Sequence, residues 1–477
     1  MSQNTTAASG TTASAPPPGA ASPGPWNSYQ KIAFRLFFIY FFLQVLPLDW
    51  KFYRELFSID WTHLHYGAIF DLAHYTPRWS SGPQSYADWI ILFIIAAIGT
   101  AIWTYLAQSR QSRQPHSGVA NTLTGQENYN QLYYWIRTAV RYRLAIAMFA
   151  YGFLKLFPLQ APFPSLSNLN TNYGDFTRWK LFSLSLGIVP SYESFLGLVE
   201  IIGAFLLLYR RSASVGAFIL VIFLGNVFMS NIAYGGGDDV YSLYLISLAL
   251  FVLSYDIPRL ADLLIFQRLA KPNGFHPQFQ KGQRYARLAL KAFVLFFFVF
   301  LYGFKTRSGY KHDPYQFPVT AGLPNAAGVY NVTEFVKGKD TLAYSRTDST
   351  RWQDVVFEKW STLSIRSNRS VALDSNNIDR PELTGDARSY ELEGAAGRHY
   401  YSYSVDTVSH VLQLQNKNPH YGNEKLILHY EQPAGNRIVL SGVDTDKDSV
   451  YVVLDRVEKK YLLEEAAKKG RQGGLKL

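Results

Sequence analysis

Long apolar runs fill the chain before about residue 310, and they constrain its fold more than any other feature. A helix crossing the hydrocarbon layer of a bilayer needs about 20 mostly apolar residues. Stretches near Lys31–Leu48, Asp88–Leu106, Leu144–Leu159, Ser194–Tyr209, Ala213–Ala233, Val240–Tyr255 and Leu288–Phe304 approach that length, several extended by flanking aromatics. They predict a membrane all-α helical bundle of about seven transmembrane helices over residues 31–310. A mean hydropathy of -0.05 hides this, because it averages the apolar part with a polar remainder.

The net charge of +11 sits largely in clusters beside the apolar runs, which is the usual placement for cytoplasmic loops and gives no reason to invoke nucleic acid. Arg110, Arg113, Arg137, Arg141 and Arg143 precede the third run, and Arg210 and Arg211 precede the fifth. Arg259, Arg268, Lys271, Lys281, Arg284, Arg287 and Lys291 separate the sixth and seventh. The alternate loops hold only Lys51, Arg54, Arg78, Arg178 and Lys180. The expected location is a bacterial inner membrane, and this alternation puts the N-terminus on its cytoplasmic side and the C-terminal domain outside. Trp50, Trp89, Trp103 and Trp179 fall near span ends, as an interfacial belt requires. Residues 1–30 lack charge until the first span and hold almost no large apolar side chain, so they read as a disordered tail. Cysteine is absent, which excludes disulfides, thiolate metal sites and thiol redox relays in this chain.

Between the first two spans, Asp60–Tyr75 reads as an amphipathic interfacial helix with Trp61, Ile69, Leu72 and Ala73 on its apolar side. Asp60, His63, Asp71 and His74 would then share the other side. Imidazole and carboxylate are ordinary zinc ligands, but a water-facing stripe explains the same pattern, and no metal is assigned.

Residues 311–327 form a linker, and from Gly328 the pattern switches to period two. Val329–Val336, Trp352–Phe357, Leu363–Ile365, Val371–Leu373, Tyr390–Leu392, His399–Ser404, Val411–Leu414, Leu426–Tyr430, Ile438–Leu440 and Val450–Leu454 read as strands. Short strands at this spacing predict a soluble antiparallel β-barrel or sandwich over residues 328–460, able to fold alone, with a short tail at 461–477. Gly328-Val329-Tyr330, Leu440-Ser441-Gly442 and Asp448-Ser449-Val450 resemble the lipocalin-like barrel group. A binding cup and a plain cap or interaction module both fit that outline.

Ionisable side chains inside a bilayer cost about 2.5–3.5 kcal/mol each on insertion scales and call for a partner or a task. Lys155 and Glu200 stand out. On adjacent antiparallel spans, Lys155 lies roughly 7 Å and Glu200 roughly 12–14 Å from the outer end, a difference that a lysine stem spans. They are the candidate catalytic residues. Tyr151 sits one turn before Lys155, while Asn226, Asn231, Tyr234 and Asp238 occupy the outward end of the fifth span and the turn after it. These five are the candidate cofactor-binding residues of a polar pocket in the outer leaflet half. A buried ion pair that merely holds helices together explains the same residues.

The run Arg143…Gly152-x-x-Lys155-Leu156, Gly187-x-x-Pro190, then Glu200-x-x-Gly203-x-x-Leu206-Leu207…Arg210-Arg211 resembles the DoxX family of small four-helix membrane proteins. The likeness covers residues 130–260. It implies a four-helix core, roles for Lys155 and Glu200, and association with quinone-linked oxidation. On that basis the chain is expected to be part of a quinone-linked membrane oxidoreductase system, with a quinone as candidate cofactor and a redox protein as candidate partner. The alternative is a non-enzymatic scaffold or lipid-binding protein with an external β interaction domain.

Overall fold

The computed structural model describes residues 26–77, 85–112, 129–269, 279–373, 385, 388–433 and 436–469. The tail through residue 25, the loop positions of Arg78, Arg113 and Lys271, and residues 470–477 lie outside them. The end of the expected disordered tail is already helical, because Asn27 and Gln30 close a capping box, each side chain accepting from the other's backbone N–H.

From that box runs α1 (Ser28–Val45), followed by α2 (Trp50–Ser58), α3 (Tyr66–Ala73), α4 (Tyr86–Ser112) and α5 (Asn130–Leu156). Short helices α6 (Leu166–Leu169) and α7 (Arg178–Gly187) lead to α8 (Pro190–Leu208), α9 (Ala213–Tyr234), α10 (Asp239–Ser254) and α11 (Ile257–Leu264). A last helical stretch comprises α12 (Lys281–Leu295), a π segment (Phe296–Leu301) and α13 (Tyr302–His312). Among the described residues, Ser28–Ser58, Tyr86–Ser109, Pro190–Leu208, Ala213–Tyr234 and Lys281–His312 are five stretches long and apolar enough to cross a membrane. The pair α10 and α11, bent by 70°, makes a sixth if it counts as one broken span. The chain is therefore a multi-pass membrane protein with a soluble β domain.

The third expected span differs most from its sequence reading. It begins at Asn130, so Arg137, Arg141 and Arg143 are helix residues rather than loop residues, and Arg141 and Arg143 are buried. Central α5 tolerates them because its neighbours shield it. Val140, Leu144, Met148 and Phe149 pack in one core with residues of α1, α8, α9 and α10. The crossing of α5 on α8 is so close that it requires glycine. A Cβ on Gly197 would lie 2.4 Å from the Leu156 nitrogen and 2.5 Å from the Gly152 oxygen.

Asp60–Tyr75 is not one interfacial helix. The Asp60 carboxylate accepts from Thr62 and His63 N–H and closes a turn, and helix resumes only at Tyr66. Its sequence is apolar on nearly every side, so α3 buries Tyr66, Ile69, Phe70 and Ala73 against α5 and the π segment instead of floating at the surface. Arg143 donates from its guanidinium to the Ala73 carbonyl at 2.6 Å and to the Tyr75 carbonyl, holding the following turn inside the bundle.

Strands β1 (Gly328–Lys337), β2 (Asp340–Thr341), β3 (Asp354–Phe357), β4 (Thr362–Arg366), β5 (His399–Asp406), β6 (Val411–Asn416), β7 (Lys425–Glu431), β8 (Arg437–Val443) and β9 (Ser449–Val457) form one antiparallel sheet. Pairing of β1 with both β3 and β9 closes β1 and β3–β9 into an eight-stranded barrel, and β2 only extends β1. Inward side chains, among them Tyr330, Phe335, Phe357, Tyr403, Leu428 and Leu454, pack together as its core. Two expected strands are not strands. Val371–Leu373 is irregular, and Tyr390–Leu392 turns across the outside of the barrel.

The barrel's outer surface on β3, β4 and the start of β5 is buried as well, against the α5–α8 connection. The Glu358 carboxylate accepts from Ser167 N–H at 2.7 Å, Ser167 Oγ at 2.6 Å and Leu166 N–H at 3.3 Å. Burial pushes that carboxyl up from the usual carboxylate range, and the nearby Glu391 carboxylate adds to the rise, against the Ser167 and Leu166 donors that favour the charged form. Arg398, 1% exposed, donates to Asp354 at 2.5 Å, Ser364 Oγ at 2.7 Å and the Asn170 carbonyl at 3.3 Å. Thr177 N–H donates to the Gly394 carbonyl and Ala396 N–H to the Asp175 carbonyl. The β domain is thus keyed onto the helical part through one polar face, rather than hung from it by the 311–327 linker.

Candidate functional site

The ends of α5 and α9, the middle of α8 and the turn after α9 build the site at the barrel side of the bundle. Where α5 crosses α8, the Lys155 ammonium pairs with Glu200 Oε1. The lysine side chain is 12% exposed and the glutamate 1%, so the cation is the member that reaches the surface of the bundle. Its Nζ stands 5.5 Å from the Tyr151 ring centroid and 5.6 Å from that of Phe223. The second Glu200 oxygen has no hydrogen-bond donor among the described residues.

One turn before Lys155, the Tyr151 hydroxyl donates to Asp238 Oδ2 at 3.2 Å. Asp238 N–H donates to Asn231 Oδ1 at 3.3 Å, and the Asn231 amide donates to the Val227 carbonyl at 3.0 Å. The turn carrying Asp238 is shaped by Gly235, at φ +73, and by Gly236, where a Cβ would lie 2.3 Å from Asn231 Oδ1. On its other side the Tyr151 ring meets Phe70, His74 and Tyr241 at 5.2, 5.8 and 5.8 Å between centroids. His74 lies tilted against Tyr241, with 3.9 Å between ring centroids. The stripe of Asp60, His63, Asp71 and His74 is split by the break before α3, and no group of three His, Cys, Asp or Glu side chains gathers for a metal among the described residues.

Lys155, Glu200, Tyr151, Asn231 and Asp238 are therefore neighbours. Asn226 and Tyr234 are not part of the group. Asn226 lies about 140° around α9 from Asn231, on an exposed face. Tyr234 is 42% exposed and stacks on Phe182 of α7 at 4.7 Å. Sequence reasoning also passed over Glu193. It is 2% exposed near the start of α8, and its Oε1 accepts from Gln160 N–H at 3.0 Å and Ala161 N–H at 3.1 Å. Its spacing of seven from Glu200 puts both acids on one helix face, which was the available signal.

The far end of the bundle is held by different contacts. Arg35 donates to the Tyr129 hydroxyl at 2.9 and 2.7 Å and to Thr104 Oγ1 at 2.9 Å, while Arg137 pairs with Asp256 at 3.1 Å. Chemically, the barrel-side group offers an ammonium to a ligand oxygen, with the Glu200 carboxylate behind it and the Tyr151 O–H already given to Asp238. No known protein family, curated protein or solved structure matches the chain.

Proposed function

We propose that this chain is a DoxX-like protein of a bacterial inner membrane whose barrel-side polar group binds the headgroup of an amphiphile, with a quinone as the leading candidate. The observation that carries this reading is the half-open ion pair, in which Lys155 is partly exposed beside the Tyr151 ring while Glu200 is sealed behind it. An ammonium held this way hydrogen-bonds and polarises a carbonyl, and its carboxylate partner takes part in moving protons. Electrons come from a redox partner protein. The barrel interior is packed with its own side chains, which favours a capping or docking role over a binding cup. Lipid extracts of the protein purified in mild detergent should contain a quinone in near-equal amount, as read by mass spectrometry. Phospholipid alone would support the second reading, a scaffold or lipid-binding protein, which the keyed barrel interface also favours.

Seven crossings belong to this proposal. Helix α5 is the one not counted above, and its charges are shielded by its neighbours. Arg210, Arg211, Arg259, Arg268, Arg284, Arg287 and Lys291 lie toward the end opposite the barrel, so the positive-inside rule makes that end cytoplasmic. The chain has no native cysteine, so single probes are clean. Ser449→Cys, exposed on the barrel, should be labelled by an impermeant thiol reagent in cells with a permeabilised outer layer. Gly282→Cys, whose Cβ would enter open space, should be labelled only after lysis. The reverse pattern would invert the topology.

A further inference from the structure

Glu193 is a buried acid for which the site described so far has no use. The geometry around it is specific. A Cβ on Gly197 would stand 2.9 Å from the carbonyl carbon of Lys155, so this glycine marks where the α5 lysine meets α8. Glu193 is four residues before it and Glu200 three after, so both project from the same helix face, one on either side of the lysine. Among the described residues the polar contacts of Glu193 are the N–H groups of Gln160 and Ala161, and the Lys155 charge acts on it without an ion pair. In the structure Lys155 is spent on Glu200. Among the described residues neither Glu193 Oε2 nor Glu200 Oε2 has a hydrogen-bond donor.

Two acids this deeply buried share one lysine. A buried carboxylate without a cation neutralises itself by taking a proton. We propose that the Glu193–Lys155–Glu200 array carries one extra proton at rest, held on Glu193, and that Glu193 is the proton donor to Lys155. The step is a proton transfer only. The O–H bond of the Glu193 carboxyl breaks as an N–H bond forms on a neutral lysine amine, after that amine has yielded its own proton to a bound headgroup. Glu193 regains a proton from water on the barrel side, where the α5–α8 connection leaves the bundle. This rests on the reading of Lys155 and Glu200 as a working site, yet the resting proton exists whether or not a quinone binds.

Infrared spectroscopy of the full-length, ligand-free protein in detergent reads that proton directly. Glu193→Gln keeps an oxygen acceptor for Gln160 and Ala161 N–H, and should fold as the parent does. It should lose one carboxyl unit from the protonated C=O band near neutral pH. Glu358→Gln, measured in parallel, accounts for the buried acid in the barrel interface. In Lys155→Met both acids of the array lose their cation, and the part of the band belonging to the array should grow about twofold. Transfer to heavy water should shift the Glu193 component, because its proton exchanges. An unchanged band in folded Glu193→Gln overturns the proposal, and an unshifted one overturns the exchange. Loss of the band together with extracts free of quinone would keep the proton array and discard the quinone.

Discussion

Lys155→Met and Glu200→Leu should each lower the melting temperature of the detergent-purified protein sharply, and the double variant should recover most of that loss. Removing one member of a buried ion pair leaves the other uncompensated, either charged or forced to change its protonation, and costs about 3–5 kcal/mol. Replacing both with apolar side chains of similar size leaves no stranded charge and is often close to neutral. The site gives little room to escape this penalty. Glu200 is 1% exposed, and the glycine crossing at Gly152 and Gly197 fixes the helix backbones against each other. Lys155 has more freedom, because its stem can carry the ammonium toward Glu193, so Glu200→Leu should be the milder single change. Ligand content separates function from architecture. A double variant that is folded and still carries the parent's co-purified ligand would make the pair a helix clamp and nothing more. A folded but empty one would make it the ligand's contact. Losses that simply add would show two residues that do not interact, and the site as drawn would fall.

The features legible beforehand are those that solvent imposes uniformly. Lipid demands about 20 apolar residues per crossing whatever the neighbours are, so the runs at Ala213–Ala233 and Leu288–Phe304 lie within observed helical stretches. Strand alternation is equally general, and the expected runs at Val411–Leu414 and Leu426–Tyr430 fall inside β6 and β7. Lys155 and Glu200 were visible because charge in an apolar run is rare. What escaped depends on which element covers which. Arg143 looked like a loop residue because nothing local announces that residues near Ala73 fold back to receive its guanidinium. Asn226 looked equivalent to Asn231 until the helix rotated it outward. Glu193 drew no notice because the N–H groups that meet its carboxylate, those of Gln160 and Ala161, lie more than thirty residues earlier. Glu358, Ser364 and Arg398 alternate with core residues as solvent-facing positions of a barrel do, and period two carries no mark of the surface that covers them.

That covered surface supplies the second large effect. Arg398→Met should destabilise the protein by about 3–5 kcal/mol, the range for breaking a buried charge pair. The guanidinium is fully enclosed and binds four acceptors, the carboxylate of Asp354, the hydroxyl and carbonyl oxygens of Ser364 and the Asn170 carbonyl. Three of these belong to β3 and β4 and the fourth to the α5–α8 connection, so one side chain ties the barrel wall to the helical part. Arg366, also paired with Asp354 at 2.5 Å, retains some of the carboxylate's compensation but does not reach the connection's acceptor in its place among the bonds formed. Arg437→Met is the matched control, since Arg437 pairs with Asp455 across neighbouring strands at 2.7 Å on an exposed face. Exposed pairs are screened and add little, so its melt should coincide with the parent's. Limited proteolysis adds a spatial readout. Arg398→Met should speed cleavage between the helical part and the barrel, whereas a barrel weakened only internally would be cut within its strands. Arg398→Lys keeps the charge but not the planar fork that reaches several acceptors at once, so it should recover only part of the loss. An Arg398→Met protein as stable and as resistant to protease as the parent would mean that the keyed face does not hold the barrel in place.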